Sequence, residues 1–288
     1  MKPLVSVVIL NWNGRAHLGK CLVSLGKATY KPFELIVVDN NSTDDSVFFI
    51  KQKFPHVRII VNAINRGYSG GNNDGIAASR GKYICILNND TEVEKHFLEP
   101  LVTAMEADRS VGCVQMLIRK SALDQIGIFD EDFFIYFEET DLCHRLWLSG
   151  YKVIYEPQSV IYHYEAVDTH KQMTNDFIMY LSYRNRIASF IKNLSCSSML
   201  RLFPVLCVFY VISFALYPAA VFRAIMSTLW GLPKILKKRR AVQAQRKISD
   251  SVLFQTIWRD PPVLYYYYLF KSLKFYRHEP SLVEANRY

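Results

Sequence analysis

FELIVVDNNSTDDS, Phe33 to Ser46, passes from an aliphatic run into polar, turn-forming residues in a single step at Asp39. The run Phe33–Asp39 is short, β-branched and lacks a 3.6-residue period, which predicts a strand buried on both faces. Ser42 or Thr43 is placed to cap a helix reaching about Lys53. The same grammar repeats on either side. Upstream, Leu4–Leu10 is a buried strand broken by Asn11-Trp12-Asn13-Gly14, with a helix over His17–Leu25. Downstream, Val57–Val61 is a third strand, and a Gly/Asn-rich stretch, Asn65 to Gly75, leads into a short helix ending near Arg80-Gly81. Tyr83–Leu87 is a fourth strand, followed by Asn88-Asn89-Asp90-Thr91 and a helix over His96–Glu106. Strand and helix in strict alternation predict an α/β fold, a mostly parallel sheet with helices on both faces.

In such sheets ligands sit beyond the carboxyl ends of the strands. Asn11–Asn13, Asp39–Asp44 and Asn88–Asp90 all fall at those ends. Each alone also reads as plain turn chemistry; three on one edge predict a site. Asp39, a carboxylate on a tight turn, is placed to accept from a base N–H or a ribose hydroxyl. Asp90 is placed where a hard divalent cation, Mg²⁺ or Mn²⁺, bridges a carboxylate and a diphosphate. No Walker lysine motif and no GxGxxG follows the first strand, which argues against a P-loop NTPase and a Rossmann dehydrogenase.

The chain has 288 residues, half of them hydrophobic and 21% charged, so it is not a disordered chain. Its length accommodates one full domain plus an appendage, or two small domains. The six cysteines form no CxxC pair, which speaks against a disulfide miniprotein or zinc module and for a reducing compartment. MKPLVSVVILNWNG turns polar too early for a secretory signal. Charge is concentrated: from residue 181 onward there are 17 Lys and Arg against 4 Asp and Glu, within a formal net charge of +9. That segment is also the most apolar, and the combination favours an anionic membrane surface over nucleic acid. No nucleic-acid docking motif accompanies it.

VSVVILNWNG, ELIVVDNNSTDDS, NRGYSGGNNDGI, GKYICILNNDTEVE, FDEDFFIYFEETDLCHRLWLSGYKV and VIYHY, in that order, resemble an inverting family 2 glycosyltransferase of the GT-A fold. The resemblance covers roughly residues 4–190 and is strongest to the bacterial rhamnosyltransferase-like branch, which builds surface polysaccharides. It implies a GT-A domain over 1–192 and an apolar, basic helical region over 193–288. It implies that Asn11, Asn13, Asp39 and Asn41 hold the nucleoside of a sugar nucleotide, dTDP-rhamnose being the branch's donor. The Asn65–Asn73 stretch, with Asn72, would lie beside ribose and diphosphate. Asn88-Asn89-Asp90 occupies the family's DxD position, so Asp90 would bind the metal, with fewer negative charges because Asn88 replaces the first Asp. Glu139 falls where the family places its catalytic base, usually Asp. His163 matches a histidine that completes the metal shell in related enzymes. The partners implied are a nucleotide-diphosphate sugar and a lipid-linked or glycan acceptor. Relatives carry a longer segment between the Asp90 and Glu139 motifs. Here Val111–Gln115 runs straight into Met116–Lys120, which implies that several tens of residues walling the acceptor pocket are missing. Two outcomes stay open: an acceptor side completed by lipid, or a transfer-incompetent relative acting as a membrane-bound binding or assembly subunit.

Other readings of single residues also stand. Glu138-Glu139-Thr140-Asp141 suits the first turn of a helix, where acidic residues oppose the macrodipole and Thr140 could cap. His163, between Tyr162 and Tyr164, also reads as a packed strand-end histidine. Cys143-His144 reads as structural. Arg145 reads as a partner of Asp141 at i,i+4, or as a phosphate contact.

Tyr180–Lys192 has helical period. Leu202–Phe222 carries no charge over 21 residues, enough at ~1.5 Å per residue to cross a ~30 Å hydrocarbon core. Lys237-Lys238-Arg239-Arg240 follows. A single span would place this cluster across the membrane from the catalytic domain, against the positive-inside tendency. A monotopic or re-entrant hairpin on the cytoplasmic face of the bacterial inner membrane is therefore expected. Tyr265–Tyr268, Trp258 and Phe270 would be interfacial aromatics. A soluble helical subdomain is the alternative.

Overall fold

The first strand, β1 (Val5–Asn11), is buried because it lies inside a seven-stranded sheet. The computed structural model describes residues 2–164 and 173–256. The other strands of that sheet are β2 (Phe33–Asp39), β3 (Arg58–Val61), β4 (Tyr83–Asn88), β6 (Val111–Val114), β7 (Leu117–Arg119) and β8 (Lys152–Ile154). Their spatial order is β3-β2-β1-β4-β7-β6-β8. The first four run parallel, and β7 is antiparallel to both β4 and β6. A separate antiparallel ladder joins β5 (Thr91–Val93) to β9 (Ile161–His163).

The strands are apolar on both sides because both faces are covered. Val5, Val7, Ile9, Val37 and Leu87 form one core with α1 (Arg15–Gly26), α2 (Ser46–Lys53) and α4 (Leu98–Ala107). Val8, Ile36, Val38, Ile84 and Ile86 form the other with α3 (Gly67–Ala78), α5 (Lys120–Ile126) and α6 (Glu138–Leu148). The α/β layering expected from the alternation is the fold observed.

Two local expectations are corrected. The Gly/Asn-rich stretch does not precede a helix; from Gly67 onward it is the helix α3. Its small residues serve close approach to the sheet. A Cβ at Gly71 would stand 2.3 Å from Leu10 Cδ1, and one at Gly75 2.3 Å from Val8 Cγ1. Neither Ser42 nor Thr43 caps α2, which begins at Ser46. Asp44 Oδ1 accepts from the Ser46 N–H at 3.1 Å instead. Ser42 is engaged elsewhere: its Oγ accepts from the Asn13 N–H at 2.9 Å and from Asn11 Nδ2 at 3.2 Å.

β6 and β7 pair through Val114 and Leu117, so Gln115 and Met116 alone make the turn, with Gln115 left-handed at φ 51°.

Contacts divide the chain into two compact units, Met1–Ile248 and Ser249–Tyr288. The first includes three long helices, α7 (Asn175–Asn193), α8 (Cys196–Leu216) and α9 (Pro218–Ala244). α9 runs alongside α7 in the same direction. Arg223 pairs with Asp176 at 2.8 Å, Tyr180 bonds Ser227 at 3.1 Å, and Gln243 donates to Asn193 O at 2.9 Å. α8 turns back against this pair and touches α7 where Tyr210 donates to Tyr183 O at 3.2 Å. Of the second unit, the described part is α10 (Asp250–Thr256). The aromatic cluster at Trp258, Tyr265–Tyr268 and Phe270 lies outside the described residues.

Candidate active site

Strand register brings the polar tips together. Asn11 sits opposite Asp39, and Leu10 opposite Asn88, so all three clusters reach one edge of the sheet. A hydrogen-bonded latch joins them. Asn11 Nδ2 donates to Asp39 Oδ1 at 3.0 Å, the Ser42 N–H to Asp39 Oδ2 at 3.0 Å, and Asn89 Nδ2 to Asn11 Oδ1 at 2.8 Å. Asn13 Oδ1 accepts from the Thr43 N–H at 2.7 Å. Asp39 is 1% exposed, and both its oxygens already accept from the protein. The geometry therefore gives it first a structural duty: it pins the ends of β1 and β2. Asn41 occupies the turn beyond, left-handed at φ 65°. Asn72 is fully buried in α3, donating to Tyr68 O at 3.0 Å.

The second group surrounds Asp90. Thr91 pairs with His163 across the β5–β9 ladder, which sets His163 beside the neighbouring Asp90. His163 Nε2 lies 3.1 Å from Asp90 Oδ1 and 3.2 Å from Asn88 Nδ2. Asp90 is buried and His163 is half-exposed. One carboxylate, one imidazole and a neutral amide fit a Mg²⁺ or Mn²⁺ ion that takes most of its ligands from phosphate oxygens and water. Among the described residues no group of three or more His, Cys, Asp or Glu is placed to hold a metal ion. The protein's share of such a shell is thus small.

Glu138 and Glu139 open α6, and the two part company at once. Glu138 is 3% exposed, whereas Glu139 is exposed. Burial and the adjacent Glu139 push the Glu138 carboxyl up to about 9, so it stays protonated at neutral pH. Glu139 faces a cavity of about 530 Å³ that Asn88, His163, Tyr68, Gln115 and Met116 also line. A smaller cavity of about 110 Å³ lies over Leu10, Trp12, Asn40, Asn65 and Asn89, and Tyr68 borders both. Asp90 lies beside the wall of the larger cavity through its contact with His163.

The turn entering α6 is unusual. Phe134, Tyr136 and Phe137 are left-handed, at φ 64°, 71° and 75°. Each costs about 1–3 kcal/mol for a residue with a Cβ. Gly67, at φ +68°, leaves room there: a Cβ would meet Phe134 O at 2.4 Å. Thr140 caps nothing; Phe137 is the N-cap of α6, without a side-chain bond. Arg145 pairs with Asp141 at 2.9 Å, the i,i+4 reading.

Sequence reasoning missed three residues here. Tyr68, partly buried, sets its phenol against Glu139; desolvation foremost, then Glu139, holds it well above the usual tyrosine range. Asn40 donates to Asn65 Oδ1 at 2.8 Å and accepts from the Arg66 N–H at 3.0 Å, tying the entry of α3 to β2. Gln115 Oε1 is buried without a hydrogen-bond partner among the described residues. A polar side chain in a tight hairpin between apolar strands was the available signal for Gln115. Asn40 and Tyr68 lay within marked stretches, Asp39–Asp44 and Asn65–Asn73, with nothing to single them out there.

The profile of the family described as Glycosyl transferase family 2 matches residues 6–151. The chain is 23% identical over 241 positions to the N-acetylglucosaminyl-diphospho-decaprenol L-rhamnosyltransferase of Mycobacterium tuberculosis, covering 59% of this chain and 78% of that one. Because 59% of 288 residues is about 170, about seventy of those aligned positions have no counterpart here. The fold is similar to a mannosyltransferase of Pyrobaculum calidifontis, PcManGT, solved with GDP-Man and Mn²⁺: TM-score 0.55, 15% identity, 85% and 86% of the two chains. It is similar also to TarS 1–349 of S. aureus, solved with UDP: TM-score 0.52, 16% identity, 66% of this chain and 65% of that fragment.

Proposed function

This chain belongs to the family 2 glycosyltransferases and has their GT-A fold, and we propose from that premise that it moves a sugar, dTDP-rhamnose being one donor, onto a lipid-linked or growing-glycan acceptor with inversion. As a nucleotide-sugar glycosyltransferase it needs a donor pocket, a base and a means of stabilising the leaving diphosphate. The observation that carries the reading is the meeting of Glu139, Asn88 and His163 around one cavity, with Asp90 against His163.

The smaller cavity over Asn40, Asn65 and Asn89 suits the nucleoside side, with Asn11, Asn13, Asp39 and Asn41 shaping its rim. Asp39 and Asn72 act from beneath, as fixed supports. Glu139, exposed to the larger cavity, takes the proton of the acceptor hydroxyl as that oxygen attacks the anomeric carbon. Tyr68 and the protonated Glu138 orient it. Asp90 and His163 would hold a divalent cation, which when bound offsets charge on the departing diphosphate. The test is Glu139→Gln, which keeps the shape and removes the base. Transfer should fall at least 100-fold while nucleotide diphosphate binding persists; transfer at the parental rate would overturn the assignment.

Membrane attachment rests on the helical layer. α8 and α9 are long and apolar enough to cross a membrane. α9 packs along α7, however, and α7 carries Asp176, Arg184, Arg186 and Lys192. Inserting α9 across a bilayer would drag those charges with it, at several kcal/mol each. Lying in the plane keeps them wet and keeps Lys237–Arg240 on the side of the catalytic domain. We therefore favour a monotopic, in-plane attachment to anionic lipid at the cytoplasmic face.

A second reading, a transfer-incompetent binding subunit, is favoured by one observation: the two-residue hairpin at Gln115–Met116, together with the unmatched positions of the mycobacterial relative. Glycosylated lipid formed by membranes containing the protein and a mixture of sugar nucleotides would eliminate it.

A further inference from the structure

The segment from Phe133 to Phe137 delivers Glu139 to the cavity, yet it contains three left-handed residues and no glycine. Within the segment one hydrogen bond, the Ile135 N–H to Phe133 O at 2.7 Å, closes the turn around Phe134. Further support comes from α7, some fifty residues later in the chain. Asn185 is fully buried, and its Nδ2 lies 2.8 Å from Phe133 O, 2.9 Å from Ile135 O and 2.8 Å from Tyr136 O. One amide group, with two N–H donors, thus lies within hydrogen-bond distance of three carbonyls of the turn, outside any helix or strand ladder. Its orientation is fixed from the other end. Asn185 Oδ1 accepts from Arg184 Nε at 3.0 Å and Nη2 at 2.8 Å, and the same guanidinium donates to Phe133 O at 3.2 Å. From the opposite side the Ser69 N–H donates to Phe134 O at 3.1 Å.

We propose that Asn185, oriented by Arg184, is the positioning residue for the base: it holds Phe133–Phe137 in the left-handed path that aims Glu139 into the acceptor cavity. Asn185 touches no reacting atom. It acts through the backbone that precedes α6, and it makes the packing of α7 a condition of a correctly aimed carboxylate. The proposal rests on the reading of Glu139 as base, but its structural half does not.

The experiment uses the full chain in detergent or vesicles, comparing the parent with Asn185→Ala, Asn185→Asp and a control on the same helical layer, Tyr210→Phe. Asn185→Asp keeps the size but turns an acceptor toward three carbonyls. Hydrogen exchange is followed at the amides of residues 134–137 and, separately, across α6 and the rest of α7. Both Asn185 variants should speed exchange at 134–137 at least 10-fold, with α6 and α7 and the Tyr210→Phe control near parental rates. Arg184→Met, at a half-exposed position, should loosen the same amides less and covers the case in which an Asn185 variant does not fold. Transfer should fall 10- to 100-fold in Asn185→Ala, and the Asn185→Ala, Glu139→Gln double variant should be no slower than Glu139→Gln alone. Parental exchange at 134–137, or loosening spread equally over α6 and α7, overturns the positioning role. Multiplying rate losses in the double variant also overturn it, because Asn185 would then act by another route. If the parent itself transfers nothing under any donor, the functional reading fails, and the exchange pattern still decides whether Asn185 holds the loop.

Discussion

Two adjacent glutamates in the same helical turn have opposite fates, and the difference is solvent. Glu138 is enclosed and beside a second carboxyl, so its folded pKa is about 9 against an ordinary 4.5. A raised folded pKa means the folded state holds the proton more tightly than the unfolded chain. The associated stability is fully present below about pH 4.5 and is lost as pH climbs through 9. Glu138→Gln removes that titration with little change of shape. Thermal unfolding of the variant should show a midpoint above the parent at pH 8, a smaller gain at pH 5, and a flatter pH slope between. A parallel slope in the two proteins would count against the buried proton. At the metal side, Asp90→Asn should abolish the thermal shift that Mn²⁺ adds in the presence of a nucleoside diphosphate, whereas His163→Ala should weaken it. A shift of unchanged size in Asp90→Asn would move the cation elsewhere. The residue types for both roles were legible in the sequence. Which of Glu138 and Glu139 faces the cavity was not, since a one-residue step along a helix rotates the side chain by about 100°.

At the scale of elements, α3 shows how packing can reverse a propensity. Gly→Ala in a helix interior ordinarily stabilises by about 1 kcal/mol. At Gly75 the new methyl would stand 2.3 Å from Val8 Cγ1 and 3.1 Å from Val38 Cγ2, both on the rigid centre of the sheet. Overpacking of that kind costs about 1–3 kcal/mol. The steric cost outweighs the propensity, so denaturant titration of Gly75→Ala should give a net loss of up to about 2 kcal/mol. A gain in stability would mean that α3 can shift away from β1. Composition alone made this stretch look like a loop, because glycine and asparagine are turn formers. The sheet it lies against made it a helix, because only small residues let the helix backbone approach closely. The four parallel strands needed no such help: their β-branched runs fixed type and place within about one residue.

At the scale of the molecule, most of the exposed large apolar side chains among the described residues lie on the helical layer. Leu200, Phe203, Val205, Val208 and Val211 stand out of α8, and Trp230 of α9 is 90% exposed. Exposed apolar area of that extent marks a partner surface, and with the cations at Lys237–Arg240 it supports the proposed attachment to anionic lipid. The other end of the layer is held to the catalytic domain by charge. Lys192 lies 2.7 Å from Asp130 and 2.9 Å from Asp141, and Lys234 lies 2.5 Å from Asp132. Despite its burial, Asp130 is held well below the usual carboxylate range by Lys192 and Lys238. In flotation with vesicles containing anionic lipid, the parent should float. The triple variant Leu200→Ser, Phe203→Ser, Trp230→Ser should stay at the bottom with its catalytic domain intact. Recovery of the parent in the detergent-free supernatant of lysed cells would dispose of the membrane reading.

The sequence by itself determined the layered α/β fold, the edge of the sheet that carries the site, and the presence of an apolar, basic final third. Each is written locally: in runs of β-branched residues, in the polar step at each strand's end, and in a stretch of uncharged positions. Tertiary structure alone decided what depends on distant segments meeting. It brought His163 to Asp90 through a three-residue ladder, left Asp39 to pin two strands, and separated Glu138 from Glu139. It set Asn185 beneath the turn that leads into α6 and Glu139. Hydrophobic pattern is a property of neighbours along the chain, whereas hydrogen-bond partnership and burial belong to neighbours in space.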